Sequence, residues 1–191
     1  MKTADSSRPD LLTAIVAATK RAVQDRTVAV PFRELEKSWG QRVPDGRRFV
    51  ERLRRVDRYN VIAECKRRSP SRGVLSDVYH PADIASGYAH AGAAAVSVLT
   101  EPAFFDGRLE HLEAVREAVE VPLLRKDFIL TDYQLLEACV AGADAVLLIA
   151  AILDTSELRR LLRQARDYGL AVLTEVHNAE ELSRSLEAGA E

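Results

Sequence analysis

Val61-Ile-Ala-Glu-Cys-Lys-Arg-Arg-Ser-Pro-Ser-Arg-Gly73 is the stretch from which the fold of this chain unfolds. It opens as a buried strand, Val61, Ile62 and Ala63, and then sets Glu64 and Lys66 at its carboxyl end. Residues two apart in a strand project to the same face, so Glu64 and Lys66 share one side and Ala63 and Cys65 the other. Charge at the end of a buried strand is costly to desolvate unless it has good partners or a chemical task. Ser69-Pro-Ser-Arg-Gly73 follows as a tight polar loop with donors suited to an anion. By itself the stretch reads equally well as a buried ion pair that holds a loop.

Downstream the chain alternates. Apolar strands near 61–66, 94–99, 121–126, 143–149 and 170–175 are separated by helical patterns. Pro81 suits a first helical turn. Thr131 is placed to cap a helix carrying Leu135, Leu136 and Cys139. Asp154 with Glu157, and Asn178 with Glu181, have capping-box spacing. The Asp154 helix puts Leu158, Leu161, Leu162 and Ala165 on one face and ends at Gly169. An internal echo supports the count: Ala-Gly-Ala recurs around Gly92, Gly142 and Gly189, spaced 50 and then 47 positions, room for two βα units each time. Strands this apolar, alternating with helices, imply a parallel sheet covered by helices, either doubly wound or a barrel. No strand ends in a GxGxxG turn, which argues against a dinucleotide fold.

The ionisable residues favour the barrel. Glu64 and Lys66 end the first strand, Lys126 the third and Glu175 the fifth. A (β/α) barrel gathers its active site at the carboxyl ends of several strands at once. Each of these residues has a plain reading as a structural ion; four together, from three strands, favour catalysis.

The first 60 residues read as an N-terminal helical extension and 61–191 as barrel. A helix over 11–25 places Leu12, Ile15, Val16, Thr19 and Val23 on one face and breaks at Thr27 to Pro31. A short helical stretch, Phe32 to Lys37, precedes loops at Trp39-Gly40 and Pro44-Asp45-Gly46. A basic helix then runs to about Arg58, with Phe49, Leu53 and Val56 at helical spacing, so its arginines read as a solvated face. This extension carries no obvious chemical group and is expected to be a cover.

Bulk properties exclude other classes. Apolar residues at 47% support a real core, and a net charge of −2 leaves no electrostatic footprint for nucleic acid. Cys65 and Cys139 lie far apart in apolar surroundings, as core residues in a reducing compartment. The four histidines form no HxxxH pair, so no metal is expected. Met1 to Asp10 has no apolar signal core, and the longest apolar run, Ala145 to Leu153, is too short to span a bilayer. A cytoplasmic soluble protein is expected, with no membrane partner and an oligomeric state left open.

With these residues in place, the chain resembles the indole-3-glycerol phosphate synthase family of tryptophan biosynthesis. Ile62-Ala-Glu-Cys-Lys-Arg-Arg-Ser-Pro-Ser-Arg-Gly73 is similar to its first-strand signature, with Cys65 and Arg72 where an aliphatic and a lysine are more usual. Leu99-Thr-Glu-Pro-Ala-Phe-Phe-Asp-Gly107, Pro122-Leu-Leu-Arg-Lys-Asp-Phe128 and Leu173-Thr-Glu-Val-His177 resemble its second-, third- and fifth-strand motifs. Arg26 and the Pro31 to Lys37 stretch look like its segment before the barrel. Four motifs in the right order make the resemblance specific.

The resemblance implies a carbon–carbon lyase that uses no cofactor. The substrate would be a phosphosugar–anthranilate, 1-(2-carboxyphenylamino)-1-deoxyribulose 5-phosphate, closed to indole-3-glycerol phosphate with loss of carbon dioxide and water. By that carry-over Lys126 is the general acid and Glu175 the general base. Lys66 holds the anthranilate carboxylate, Glu64 orients the lysines and Ser69 contacts substrate. Phe105, Phe128 and Leu147 shape a slot for the aromatic ring; Phe105 and Leu147 read equally well as core.

Five βα units of eight are legible, so the chain reads as a (β/α)8 barrel truncated near Glu191, an incomplete copy expected to be inactive alone. The family's sixth-strand Asn-Asn-Arg motif and its last two loops are not in the sequence, and no phosphate site is assigned. Two rivals stand beside this reading: a non-catalytic partial barrel serving as scaffold or binding module, and another phosphosugar barrel such as phosphoribosylanthranilate isomerase. The second is expected to use a cysteine–aspartate pair, where this chain has Glu64, Lys126 and Glu175 at its strand ends.

Overall fold

The computed structural model describes residues 11–40 and 42–191. The expectation for Met1 to Asp10 therefore lies outside the described residues. Three helices come first: α1 (Leu11–Ala29), α2 (Phe32–Ser38) and α3 (Gly46–Leu53). The alternating part follows as β1 (Ile62–Cys65), a hairpin of β2 (Arg68–Ser69) and β3 (Gly73–Val74), α4 (Pro81–His90), β4 (Ala95–Leu99), α5 (Pro102–Phe105) and α6 (Leu109–Ala118). It continues through β5 (Leu123–Lys126), α7 (Asp132–Val140), β6 (Ala145–Ile149), α8 (Thr155–Asp167), β7 (Ala171–Glu175) and α9 (Ala179–Ala188).

The five expected strands form one parallel sheet in the order β1-β4-β5-β6-β7. Chain order equals spatial order, as in a partial (β/α) barrel wound one unit at a time. Among the described residues no helix is long and apolar enough to cross a membrane.

Register assigns the faces. Glu64 pairs with Ser97, Ser97 with Leu124, Leu124 with Ala145 and Ala145 with Ala171, so these residues share one face. Two positions further on, Leu99 pairs with Lys126 and Leu147 with Leu173 on that same face, and four positions on, Ile149 pairs with Glu175. The opposite face carries Cys65, Val98, Arg125 and Val146, covered by helices α4, α6, α7 and α8 through Ala85, Leu112, Val115, Leu135, Leu158 and Leu161. The first face is plugged at the amino ends of the strands by α3. Phe49 packs there against Ala95, Leu124 and Ala145, small side chains in two of the three strands leaving room for the ring. Gly46 makes that docking possible: a Cβ would sit 2.3 Å from the Ala171 nitrogen.

Several boundaries differ from expectation. Helix α1 runs four residues past 25, to Ala29. Its Thr27 hydroxyl donates to the Val23 carbonyl 2.8 Å away, and the helix ends within the expected break, at Ala29, two residues before Pro31. Helix α3 stops at Leu53 instead of Arg58, because the Asn60 amide donates to the Leu53 and Arg55 carbonyls and ends it. Val56 is consequently exposed rather than on the packed face. Thr131 does occupy the cap position of α7, but its hydroxyl lies 3.4 Å from Gln134 Oε1 and caps no backbone N–H. Asp154 forms the full capping box with Glu157. Asn178 accepts from the Glu181 N–H, while the Glu181 carboxylate reaches back one residue further, to His177 N–H. The polar loop after β1 is the β2–β3 hairpin, and Gly73 takes the positive φ of 68° that its turn requires.

Candidate active site

At the carboxyl ends of the strands a cavity of about 420 Å³ opens on the face of Lys126 and Glu175. Its floor is Leu99, Leu147 and Ile149, the last inward residues of β4 and β6. Lys126 Nζ lies 3.7 Å from Glu175 Oε2, each side chain about one-third exposed. The cavity is predominantly apolar, so an ion pair stands at the edge of a slot able to take a flat aromatic ring.

Two rings form one wall. Phe105 and Phe128 lie 6.1 Å apart, their planes inclined by 35°. Phe105 ends α5, whose first turn is held by Glu101: its buried carboxylate accepts from the N–H groups of Ala103, Phe104 and Phe105. Asp106 then turns the chain in the left-handed region at φ 53°, and Gly107 passes so close that a Cβ would meet the Leu99 carbonyl oxygen at 2.5 Å. Phe128 follows Lys126 in a turn fixed at both ends of its residue. Its N–H donates to Asp127 Oδ1 at 2.8 Å and its carbonyl accepts from Gln134 Nε2 at 3.0 Å.

Of the eight residues singled out in the sequence, five wall this cavity: Lys126, Glu175, Phe105, Phe128 and Leu147. The other three do not. Glu64 and Lys66 form an ion pair with each other at the end of β1, on the same face, both about one-third exposed. Register continues the Lys66 row into Leu99 and Lys126, so the pair sits two strands away from Lys126. The carboxylate within ion-pair reach of Lys126 is that of Glu175, and Glu64 reaches Lys66. Ser69 is buried in the hairpin, where its hydroxyl accepts from the Arg72 N–H at 3.3 Å.

The structure adds two groups. Leu11, Leu12 and Ile15 of α1 form a wall of the cavity, so the helix expected to be a mere cover is part of the site. Their spacing of one helical turn was visible; that they face the strand ends was not. His177 lines the cavity as well, with Nε2 3.4 Å from Glu175 Oε1 and Nδ1 3.6 Å from Glu181 Oε2.

Cysteine chemistry has no place here. Cys65 lies on the helix-covered face, its thiol 3.8 Å from the Pro81 carbonyl, and burial, reinforced by Glu64, pushes it up to about 12. Burial pushes Cys139 up to about 12 too. Among the described residues no three His, Cys, Asp or Glu side chains converge as a metal-binding set. A larger cavity, about 520 Å³, lies between Trp39, Arg116 and Gly142, at the amino ends of the strands. That end of a barrel is the stabilising one.

The model of the family "Indole-3-glycerol phosphate synthase" matches residues 12–191. A protein of that name from Campylobacter jejuni subsp. doylei is 44% identical over 182 residues, covering 95% of this chain and 70% of the relative. One from Parafrankia sp. is 54% identical over 150 residues, 78% of this chain and 56% of its own. One from Nocardioides sp. is 56% identical over 132 residues, 69% of this chain and 51% of its own.

Proposed function

The chain belongs to the indole-3-glycerol phosphate synthase family, and from that premise we propose that the cavity at its strand ends closes 1-(2-carboxyphenylamino)-1-deoxyribulose 5-phosphate to indole-3-glycerol phosphate. One observation supports this reading above the rest: Lys126 and Glu175 face each other 3.7 Å apart at the rim of an apolar slot walled by Phe105 and Phe128.

The aromatic ring of the substrate enters between the phenyl groups and the α1 leucines. Ring closure joins the ring carbon that bears the carboxylate to the sugar carbonyl carbon, and negative charge grows on the carbonyl oxygen. Lys126 stabilises that oxygen and delivers a proton to it. The carboxylate then leaves as carbon dioxide, its bonding electrons returning to the ring. Glu175 then takes the proton from the carbon between the nitrogen and the carbinol carbon, the hydroxyl leaves as water with a proton supplied by solvent, and the new five-membered ring becomes aromatic. Lys66 holds the anthranilate carboxylate before it leaves, and Glu64, paired to it, keeps its ammonium in place. Ser69 approaches the substrate from the hairpin. The reaction balances without a cofactor: one substrate gives one product, one carbon dioxide and one water.

Release of labelled carbon dioxide from carboxyl-labelled substrate first decides whether the unaltered chain is active alone and then, in its variants, tests the roles; binding of the reduced, non-reactive substrate analogue tests the substrate. Lys126→Met is expected to abolish release while leaving analogue binding within about tenfold. Release unchanged in Lys126→Met would overturn the role of the lysine. No analogue binding by the unaltered chain would overturn the substrate.

A further inference from the structure

The two walls of the cavity are joined behind the sheet by a buried chain of charges. Arg125, the residue before Lys126, points to the opposite face and is 1% exposed. Its Nη2 lies 2.8 Å from Asp127 Oδ2 and 3.2 Å from Glu137 Oε2, and its Nη1 donates to the Gln134 carbonyl at 2.6 Å. Asp127 also accepts from the Thr100 hydroxyl and from Phe128 N–H, so this one carboxylate ties Arg125, β4 and the turn bearing Phe128. On the other side Glu137 accepts from Arg26 of α1, through Nε at 2.6 Å and Nη2 at 3.1 Å. The single proton of the Tyr133 hydroxyl is shared between the Val30 carbonyl at 2.9 Å and the Arg26 carbonyl at 3.1 Å, which seats the end of the same helix.

We propose that Glu137 is a positioning residue: shared between Arg26 and Arg125, it sets the distance between the α1 wall and the Lys126–Phe128 wall, and so the fit of the aromatic ring. The physical reason is the stiffness of a desolvated network. Glu137 and Asp127 are about 95% buried, and charge-assisted hydrogen bonds to arginine forks fix angle as well as distance. Glu137 cannot turn to water without giving up its pairs with both Arg26 and Arg125. Helix α1 sits at the other end of that lever. Removing the Glu137 charge lets α1 and the Phe128 turn relax independently, and the slot loses its width while the Lys126–Glu175 pair stays on its strands.

The identity of the ligand rests on the synthase reading, so the test includes a measurement that needs no ligand. The full chain, with 4-fluorophenylalanine in place of phenylalanine, reports each ring by its fluorine resonance; Phe128 is assigned from its loss in Phe128→Leu. Glu137→Gln keeps the shape and removes the charge. It is expected to move the Phe128 resonance and to weaken the reduced substrate analogue about tenfold, the scale of a small misplacement in a site. Arg26→Met, at a partly exposed position, is expected to weaken the analogue similarly, and Arg26→Lys to recover most of the loss. Arg116→Met breaks the other buried pair, Arg116 with Asp144, at the far end of the sheet. It is expected to lower the melting temperature with neither effect. Glu137→Gln and Arg26→Met that melt lower but keep the Phe128 resonance and the analogue affinity would overturn the proposal, as would Arg116→Met moving both. Should Glu137→Gln fail to fold, the Arg26 pair decides alone. An analogue that fails to bind the unaltered chain refutes the substrate, and the fluorine shifts then decide the positioning role.

Discussion

Lys126 Nζ and Glu175 Oε2 stand 3.7 Å apart although the residues belong to β5 and β7, with all of β6 between them. The reach works because Glu175 lies opposite Ile149, further along its strand than Lys126, and both side chains lean over the apolar β6 floor. An ammonium and a carboxylate thus meet over Leu147 and Ile149 and leave the slot itself apolar.

Glu175→Gln keeps the volume and removes the proposed base. Carbon dioxide release is expected to fall by about 10²–10⁴-fold, the usual contribution of a positioned acid or base. Analogue binding should change far less. Equal losses in both measurements would make Glu175 a binding residue.

The two cysteines offer a cheap check of burial. Both thiols are pushed up to about 12 by their surroundings and both are buried, so little thiolate forms at neutral pH. Ellman's reagent at pH 8 is expected to react with neither in the folded chain and with both in denaturant. Rapid reaction of one thiol without denaturant would contradict the packing of β1 or α7.

His111 predicts a pH dependence of stability. Burial, reinforced by Arg108, holds its imidazole below the ordinary value of 6.5, against the opposing pull of Asp106 and Glu110. The folded chain therefore keeps this ring neutral where the unfolded chain already binds a proton. The sign follows: its contribution is present above about pH 6.5 and is lost as pH falls below that value. His111→Gln is expected to flatten the fall in the urea midpoint between pH 7.5 and 5, relative to the unaltered chain. Parallel curves for the two proteins would remove His111 as the cause.

Gly107→Ala probes the corner that sets Phe105. The added Cβ would stand 2.5 Å from the Leu99 carbonyl oxygen, which is backbone and cannot swing away. A loss of about 1–3 kcal/mol is expected, the range for overpacking, together with weaker analogue binding as Phe105 shifts. Stability within 0.5 kcal/mol of the unaltered chain, as at an ordinary surface site, would show that the corner yields.

Much of this was legible in the residues. The five strands were readable from apolar runs and the Asp154 box from local spacing, because neighbours in sequence decide both. The ends of α1 and α3 were not, since Asn60 acts on α3 from seven residues beyond Leu53. Lys126 and Glu175 stood out as charge at the ends of apolar strands. Arg125 beside them did not, for its partners Glu137 and Gln134 come from a helix whose orientation only packing sets. The part played by Leu11, Leu12 and Ile15 was hidden in the same way: an apolar helical stripe says that something is covered, never what.

The sequence by itself determined the alternation of strand and helix, the face on which each strand-end charge lies, and the family that these motifs mark. Periodicity and turn chemistry are local properties, and they survive being read one neighbourhood at a time. Only the tertiary structure decided that Lys126 meets Glu175, and that α1 closes the slot. Those outcomes depend on strand register, sheet curvature and helix docking, each a sum of contacts between residues far apart in the chain.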